Sequence, residues 1–439
     1  MNKFFGKIIF WILKKSAKIQ LKKNNTTVIG VGGSSGKTSL AGIIGILLSE
    51  KYNVGNSYGK NSHTGIPLSV LGIDPGNYSF FDWLRILIEC KIKLLTSWQK
   101  FDFYIAEMGI DGPKEPNNMG YLLKIITPSV GVLTNISYEH SEYFEAEAKG
   151  SEKKILELTA KEENLLLSSI PQKGYAIVNL DDALIKDNMD KIKANVVSVS
   201  KKDKNADIFI KKIDSDLHTF NTQLLISGKI YQINLKNPLP EHYAYSFALA
   251  VGVAKSVGIA DDEAILTLEK NFALPPGRMT IFKGIRETTI IDSSYNNATL
   301  RPIIDLLDFL KEKSGIRRKV AILGDMRELG ILSEKMHQTV ARKLSETVDF
   351  AILIGPLMLK YAQPILKKSK LKFAAFKDFS SSKQYIIDNI KKGDVILVKS
   401  SQNTLFLERA VEMLLDDKKN VKKLCRRGQF WDKKRQLSL

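Results

Sequence analysis

One stretch of this sequence has residue types spaced for chemistry: Val28-Ile29-Gly30-Val31-Gly32-Gly33-Ser34-Ser35-Gly36-Lys37-Thr38-Ser39. Glycines let backbone N–H groups point inward around phosphate oxygens, and a helix opening directly after them adds the positive end of its dipole. Lys37 is placed to reach the β- and γ-phosphates of a nucleotide, and the Thr38 hydroxyl to ligate Mg2+. The general phosphate-loop pattern GxxxxGK[ST] calls for glycine at position 31, where the chain has Val31. The loop is therefore a variant. A glycine turn that merely precedes a lysine is the bland alternative; a strand before the loop and a helix after it count against that. Such loops serve GTPases, kinases, motors and ligases alike, so the rest of the chain must decide.

The loop needs a strand to launch it and a helix to receive it. Thr26–Gly32 reads as a buried strand, β-branched and apolar, and Ser39–Glu50 as a helix. Phe103–Met108, Val130–Asn135 and Tyr175–Asn179 are further short apolar strands. Alternation of this kind predicts a mostly parallel sheet covered by helices. Ile208–Ile213, Gln223–Ile226 and Lys229–Leu235 read as antiparallel strands with a turn at Ser227-Gly228, and Pro240–Val257 as a helix. Leu274-Pro275-Pro276-Gly277 is rigid punctuation and the preferred boundary. Beyond it, Thr288–Asp292, Val320–Gly324, Phe350–Gly355 and Asp394–Lys399 read as strands, with helices at Leu300–Lys313 and Ser333–Leu344. The fold class is α/β: a phosphate-loop central domain with a mostly parallel sheet, then a smaller Rossmann-like domain. The expected division is a basic amphipathic arm at 1–23, a central domain at 24–276 and a C-terminal domain with a basic tail at 277–439.

A chain of 439 residues exceeds one hydrophobic core. Two cysteines, Cys90 and Cys425, suggest neither a disulfide framework nor a zinc site. The net charge of +19 invites a nucleic-acid reading, but residues 1–23 and 418–439 supply 15 of those charges and the body is near neutral. Nucleic acid is therefore not an expected partner. The basic ends read as solvated faces, or as contacts to an anionic membrane or acidic substrate groups. The apolar run from Phe4 to Leu13 is shorter than the roughly 20 residues that span a bilayer, and no cleavage site follows it. It reads either as an interfacial helix on a membrane or as a helix docked on the protein body.

The loop resembles that of the Mur ligases, whose variant is GxxGxxGKT[ST]. Further segments agree in order: Asn61-Ser62-His63-Thr64-Gly65-Ile66-Pro67-Leu68, Glu107-Met108-Gly109, Thr134-Asn135-Ile136 followed by His140, Asp292-Ser293-Ser294-Tyr295-Asn296, and Lys399-Ser400-Ser401. The most specific string is Gly324-Asp325-Met326-Arg327-Glu328-Leu329-Gly330, followed by Ser333 and His337. It is similar to the branch that adds D-alanyl-D-alanine to a UDP-N-acetylmuramoyl tripeptide. The resemblance implies a cytoplasmic, monomeric, ATP- and Mg2+-dependent ligase of peptidoglycan precursor synthesis, and the basic ends leave open a peripheral contact at the inner face of the membrane. It implies that Gly33, Ser34, Ser35, Gly36, Lys37, Thr38 and Ser39 bind the nucleotide phosphates. Thr38 holds one Mg2+, and Glu107 with His140 a second. Lys153, or its neighbour Lys154, is the candidate for the family's carbamylated lysine. Arg278 is implied at the phosphates, Asp292 at the ribose, and His242 and Asn296 near the nucleotide. Asn61, Ser62, Thr64, Asp325, Glu328, His337 and Lys399 fall to the substrate side.

The chain departs from the family in three places. About two dozen residues precede the first strand, where the family carries a domain for the UDP-sugar. Pro240-Glu241-His242 is followed by Ser246 where asparagine is expected, and Ser293 replaces the second aspartate of the Asp-Asp-Ser-Tyr-Asn segment. Two competing readings stand beside the ligase. One is a related ligase on another acid–amine pair, of the folylpolyglutamate or cyanophycin type. The other is a non-catalytic ATP-binding adaptor for membrane or nucleic acid.

Overall fold

The structure, a computed structural model, describes residues 3–96, 99–295, 299–401 and 404–436. The first sheet has nine strands: β1 Thr27–Gly32, β2 Val54–Asn56, β3 Phe103–Glu107, β4 Val130–Leu133, β5 Tyr175–Asn179, β6 Asn195–Ser200, β7 Ile208–Ser215, β8 Phe220–Ile226 and β9 Lys229–Leu235. Their spatial order is β2-β3-β1-β4-β5-β6-β7-β8-β9. Strands β2 through β7 pair in parallel. The links after β7 and β8 are too short for a crossover, so these strands run antiparallel. The Ser227-Gly228 turn places both residues at positive φ, 50° and 80°, the twist a two-residue hairpin needs.

Helices cover both faces of the parallel part, which is why β1, β3 and β4 are continuous apolar runs rather than alternating ones. Register decides function here. Val31 lies opposite both Glu107 and Val132, and Gly32 opposite Leu133. The carboxyl ends of β1, β3 and β4 thus emerge together, at the edge where open α/β sheets bind ligands.

The second sheet holds β10 Thr280–Gly284, β11 Thr288–Ser293, β12 Lys319–Gly324, β13 Phe350–Ile354, β14 Lys372–Phe376 and β15 Val395–Lys399, in the order β10-β11-β15-β12-β13-β14. Only β10 runs antiparallel. Its register brings Ser293, Lys399 and Leu323 side by side.

The chain divides into two compact units, one made of 1–213, 221–234 and 243–272, the other of 214–220, 235–242 and 273–439. The N-terminal segment is not a loose arm. It is the helix Lys3–Lys23, and Ile9, Leu13, Ala17 and Leu21 form a buried stripe at four-residue spacing. Ile9 and Leu13 share a cluster with Leu68, Leu71, Trp83 and Ile86, so of the two readings of this run the docked helix is the one observed. The C-terminal segment is likewise not simply a solvated basic tail. Arg426 is buried with Glu408, its Nε 3.7 Å from Oε1, while Arg435 Nη1 lies 3.6 Å from the same oxygen. Arg427 pairs with Glu412 at 2.7 Å. Burying Glu408 demands nearby cations, and the tail supplies them.

Candidate active site

Strand β1 ends at Gly32, and the chain turns through Gly33 (φ 114°) and Gly36 (φ 83°) into the helix Lys37–Ser49. A side chain at position 33 would be strained by that φ. Its Cβ would also collide with the Thr134 hydroxyl and come within 2.9 Å of the Thr134 nitrogen. Among the described residues no side chain caps the helix start, where Gly36 is the left-handed cap residue. Its first N–H groups and the dipole's positive end therefore remain for an anion.

The loop is held from behind by the end of β4. Ser34 N donates to Asn135 O at 2.8 Å, and Thr134 Oγ1 donates to Ser35 O at 2.6 Å. The Asn135 side chain accepts from Ser35 N and Oγ and donates to Ser35 O. Ser34 Oγ donates to Ser137 O and accepts from Ser137 N. Ser35 and Ser39 are half-buried.

Lys37 is buried. Its ammonium donates to Gly33 O at 2.5 Å and Ser34 O at 3.0 Å, and pairs with Glu139 Oε2 at 3.3 Å. Burial works against the charge, but Glu139, Glu163 and Glu107 outweigh it and raise its pKa above the ordinary lysine value. Glu163 accepts from Gly33 N at 2.8 Å. Burial pushes its carboxyl up to about 7, against the opposing pull of Lys37 and the Gly33 N–H. Neither Glu139 nor Glu163 was legible as a site residue from motif spacing. For Glu163 a signal existed: an acid on the buried face of the helix Glu152–Ser168, beside Thr159, Ala160, Leu166 and Leu167.

Thr38 Oγ1 donates to Glu107 Oε1 at 2.7 Å. The other carboxylate oxygen accepts from Gly59 N at 3.3 Å, and Glu107 N is fixed by Ser57 Oγ at 2.9 Å. A hydroxyl and a carboxylate oxygen in contact beside a phosphate loop are hard donors, and they fit Mg2+. That ion is commonly bound by one or two carboxylates together with phosphates and water. Among the described residues no three His, Cys, Asp or Glu side chains form a ready cage for a metal. His140 adopts φ 53°, and its Nε2 lies 3.7 Å from Asp111 Oδ1. It is close enough to Glu163 to act on its charge. Lys153 is not brought to this cluster: its side chain is 88% exposed and sits 3.8 Å from Glu157. Lys154, the alternative, is exposed too. Both occupy the outward face of the first turn of their helix, while Ile155 takes the inward one.

The segment Asn61–Thr64 lies against the same strand end. Gly109 N donates to Asn61 O at 3.2 Å, and the Asn61 side chain fills the space a Cβ on Gly109 would need. Ser62 Oγ accepts from Gly65 N at 3.1 Å, at the start of the helix Gly65–Leu71, and meets Thr64 Oγ1 at 3.3 Å.

In the second unit Asp292 is fully buried. Its Oδ1 accepts from Ser294 N and Oγ, while Oδ2 has no hydrogen-bond partner among the described residues. Burial lifts this carboxyl to about 6. Arg278 is buried with its guanidinium 5.3 Å from the Tyr295 ring centre. Lys399 is buried at the end of β15. His242 opens the helix His242–Ser256 and lies 3.5 Å from Asp305 Oδ2. Asn296 lies outside the described residues.

The string Gly324–Gly330 turns out to be tied down internally. Asp325 Oδ1 accepts from Met358 N at 2.8 Å, and burial raises its carboxyl to about 6. His337 is fully buried and used at both nitrogens. Nε2 accepts from Met326 N at 3.1 Å, and Nδ1 therefore carries the proton, donated to Ser333 O at 2.7 Å. Burial lowers its pKa, consistent with a neutral ring. These contacts give Asp325 and His337 a local structural task that the substrate-side expectation had not included. Glu328 is half-buried at φ 62° and Arg327 exposed, leaving these two as the loop's outward members.

A family profile described as the Mur ligase middle domain matches residues 31–254, and one described as Mur ligase, glutamate ligase domain, matches residues 277–402. The chain belongs to the Mur ligase family. Among relatives of this Mur ligase is the UDP-N-acetylmuramoyl-tripeptide--D-alanyl-D-alanine ligase of Bacillus subtilis (strain 168). It is 25% identical over 421 residues, spanning 92% of this chain and 79% of the relative. The enzyme of that name from Synechocystis is 26% identical, spanning 88% and 74%. Among solved structures, MurF ligase from Thermotoga maritima in complex with ADP has a TM-score of 0.74 at 23% identity, covering 94% of this chain and 84% of that one. MurF from Acinetobacter baumannii has a TM-score of 0.74 at 21% identity, covering 91% and 80%. At these identities the structures speak for the fold, α/β with two Mur ligase domains.

Proposed function

We propose that this Mur ligase joins D-alanyl-D-alanine to a muramoyl tripeptide, using ATP and Mg2+. The observation that carries the reading is the contact of Thr38 with Glu107 beside the Lys37 loop: phosphate cradle, ammonium and hard-oxygen metal ligands in one place. The names of its relatives support the choice of substrates.

In the reaction the tripeptide's terminal carboxylate attacks the γ-phosphorus of ATP, and ADP leaves. The amine of the dipeptide then attacks the acyl phosphate, loses a proton and expels inorganic phosphate. Loop N–H groups and the helix start orient the phosphates, and Lys37 offsets charge that builds on them. Glu163 pins Gly33 so that the loop is preformed. Mg2+, when bound, neutralises the phosphate oxygens and polarises the transferred group. Thr38 and Glu107 would hold it, with Glu107 and His140 on a second ion by the family resemblance. Arg278 and Asp292 are assigned to phosphate and ribose on the same footing, and the unpartnered Asp292 Oδ2 suits a sugar hydroxyl donor. Asn61, Glu328 and Lys399 stay assigned to the substrate side. Lys153, like its alternative Lys154, is withdrawn from the catalytic set because it is exposed. The same reading makes the protein a cytoplasmic monomer in peripheral contact with the inner face of the membrane.

The test is phosphate release from ATP over candidate carboxylate and amine pairs. Muramoyl tripeptide with D-alanyl-D-alanine is expected to stimulate turnover, and Lys37→Ala to abolish it. Stimulation by a folate with glutamate instead would replace the substrates. Turnover that survives Lys37→Ala would remove the site.

A further inference from the structure

The helix Lys3–Lys23 lies alongside a second helix, Phe80–Thr96. Lys23 Nζ donates to Leu94 O at 2.9 Å, and Cys90 meets Ser16. Contacts of 23 with 94 and of 16 with 90 make the pair run in the same direction. Each helix buries one stripe in the same cluster: Ile9 and Leu13 from the first, Trp83, Ile86 and Cys90 from the second.

Each also carries a second stripe that faces out. On Phe80–Thr96 it is Phe81, Leu84, Ile88, Ile92 and Leu95, at steps of three, four, four and three residues, the spacing of one helical face. These are exposed by 78%, 50%, 54%, 46% and 83%. On Lys3–Lys23 the matching positions are Ile8, Trp11, Lys15, Ile19 and Lys22, all exposed. Lys7 and Lys18 flank them, and Lys15 Nζ sits 4.3 Å over the Trp11 ring. Residues 1–23 contain no acid. The two acids on the second helix are engaged by Arg85, with Glu89 at 2.6 Å and Asp82 at 3.8 Å. A run of exposed large apolar residues on a folded domain marks an interaction surface. Here lysines border it, and neither helix is long and apolar enough to cross a bilayer.

We propose that the outward faces of Lys3–Lys23 and Phe80–Thr96 together form a docking surface for an anionic phospholipid bilayer. Apolar side chains enter the acyl boundary while lysines meet lipid phosphates, the balance an interfacial helix uses. This deepens the membrane contact in the reading above and moves it: the second partner of the N-terminal helix is Phe80–Thr96, and the arginines of the C-terminal segment are engaged in ion pairs. The inner side of the first helix, not its outward face, reaches the segment Asn61–Thr64: the Phe10 ring centre lies 4.8 Å from that of His63.

The test is flotation of the full chain with vesicles of phosphatidylcholine alone or with about a third phosphatidylglycerol. Binding is expected only to the anionic vesicles, and it should weaken with added salt. Leu84→Asp with Ile88→Asp should abolish it, and Lys18→Gln should weaken partitioning about fivefold. Trp11 emission should shift to the blue and be quenched by brominated lipid, and Trp11→Phe should remove that response. Equal binding to neutral vesicles, no binding to either, or unchanged binding by the double variant overturns the proposal. So does a wild type that sediments as a dimer and a double variant that sediments as a monomer, because the stripe would then be covered by a second copy. Phosphate release measured without vesicles reads the ligase assignment separately: a wild type that turns over but does not dock refutes only the surface, and one that docks without turnover refutes only the ligase.

Discussion

Glu163 offers a quantitative test of how the phosphate loop is built. Its carboxyl is buried under the loop, accepts from Gly33 N at 2.8 Å, and is pushed by burial from 4.5 to about 7. Below about pH 4.5 the group is neutral in the folded and unfolded chain alike, and its contribution to stability is fully present. As pH rises the unfolded carboxyl ionises first, while the folded one keeps its proton until about pH 7. Stability is therefore lost across that window, and the pH dependence levels off above it. A shift of this size corresponds to ~3 kcal/mol in total, with a slope approaching ~1.4 kcal/mol per pH unit. Glu163→Gln keeps an oxygen for Gly33 and cannot titrate. The chain has four tryptophans, and Trp431 alone lies in the second unit. A Trp431→Phe background therefore lets fluorescence follow the first unit by itself. Urea unfolding at pH 5, 6, 7 and 8, with and without Glu163→Gln, gives the difference in stability at each pH. The wild type should lose ground to the variant up to about pH 7 and then hold steady. A difference that is flat from pH 5 to 8 would show that the carboxyl is not desolvated under the loop, and the argument would fail.

Two further outcomes follow from the same geometry. Gly33→Ala combines a φ of 114° with a clash against Thr134; it should cost ~1–3 kcal/mol and weaken ATP binding more than about tenfold, read by urea unfolding and by nucleotide titration. His337→Ala removes the acceptor for Met326 N and opens a buried void. It should lower second-unit stability by ~2–4 kcal/mol, followed by Trp431 fluorescence, while a change confined to the KM of the amine substrate would instead restore the substrate-side role.

The phosphate loop was legible because its chemistry is local. Strand, glycines, lysine and helix occupy one continuous stretch, and backbone geometry alone turns them into an anion site. The strands β1, β3, β4 and β5 could be read for a similar reason: burial on both faces leaves an unbroken apolar run. Short or edge strands escaped. Val54–Asn56 has three residues, and Lys372–Phe376 is partly exposed throughout and lies at the end of its sheet. Phe80–Thr96 escaped too, although its buried residues Trp83, Ile86 and Cys90 keep helical spacing.

What the sequence determined by itself was thus the kind of site and the alternation of elements around it. Tertiary structure decided which carboxylates serve that site. Glu107 meets Thr38 only because parallel register aligns β3 with β1, and Glu163 reaches Gly33 across 130 residues of chain. It also decided that His337 holds a loop, that Lys153 faces solvent, and that Arg426 answers a buried Glu408. Burial and register are properties of packed neighbours, distant in sequence, and no local spacing rule encodes them.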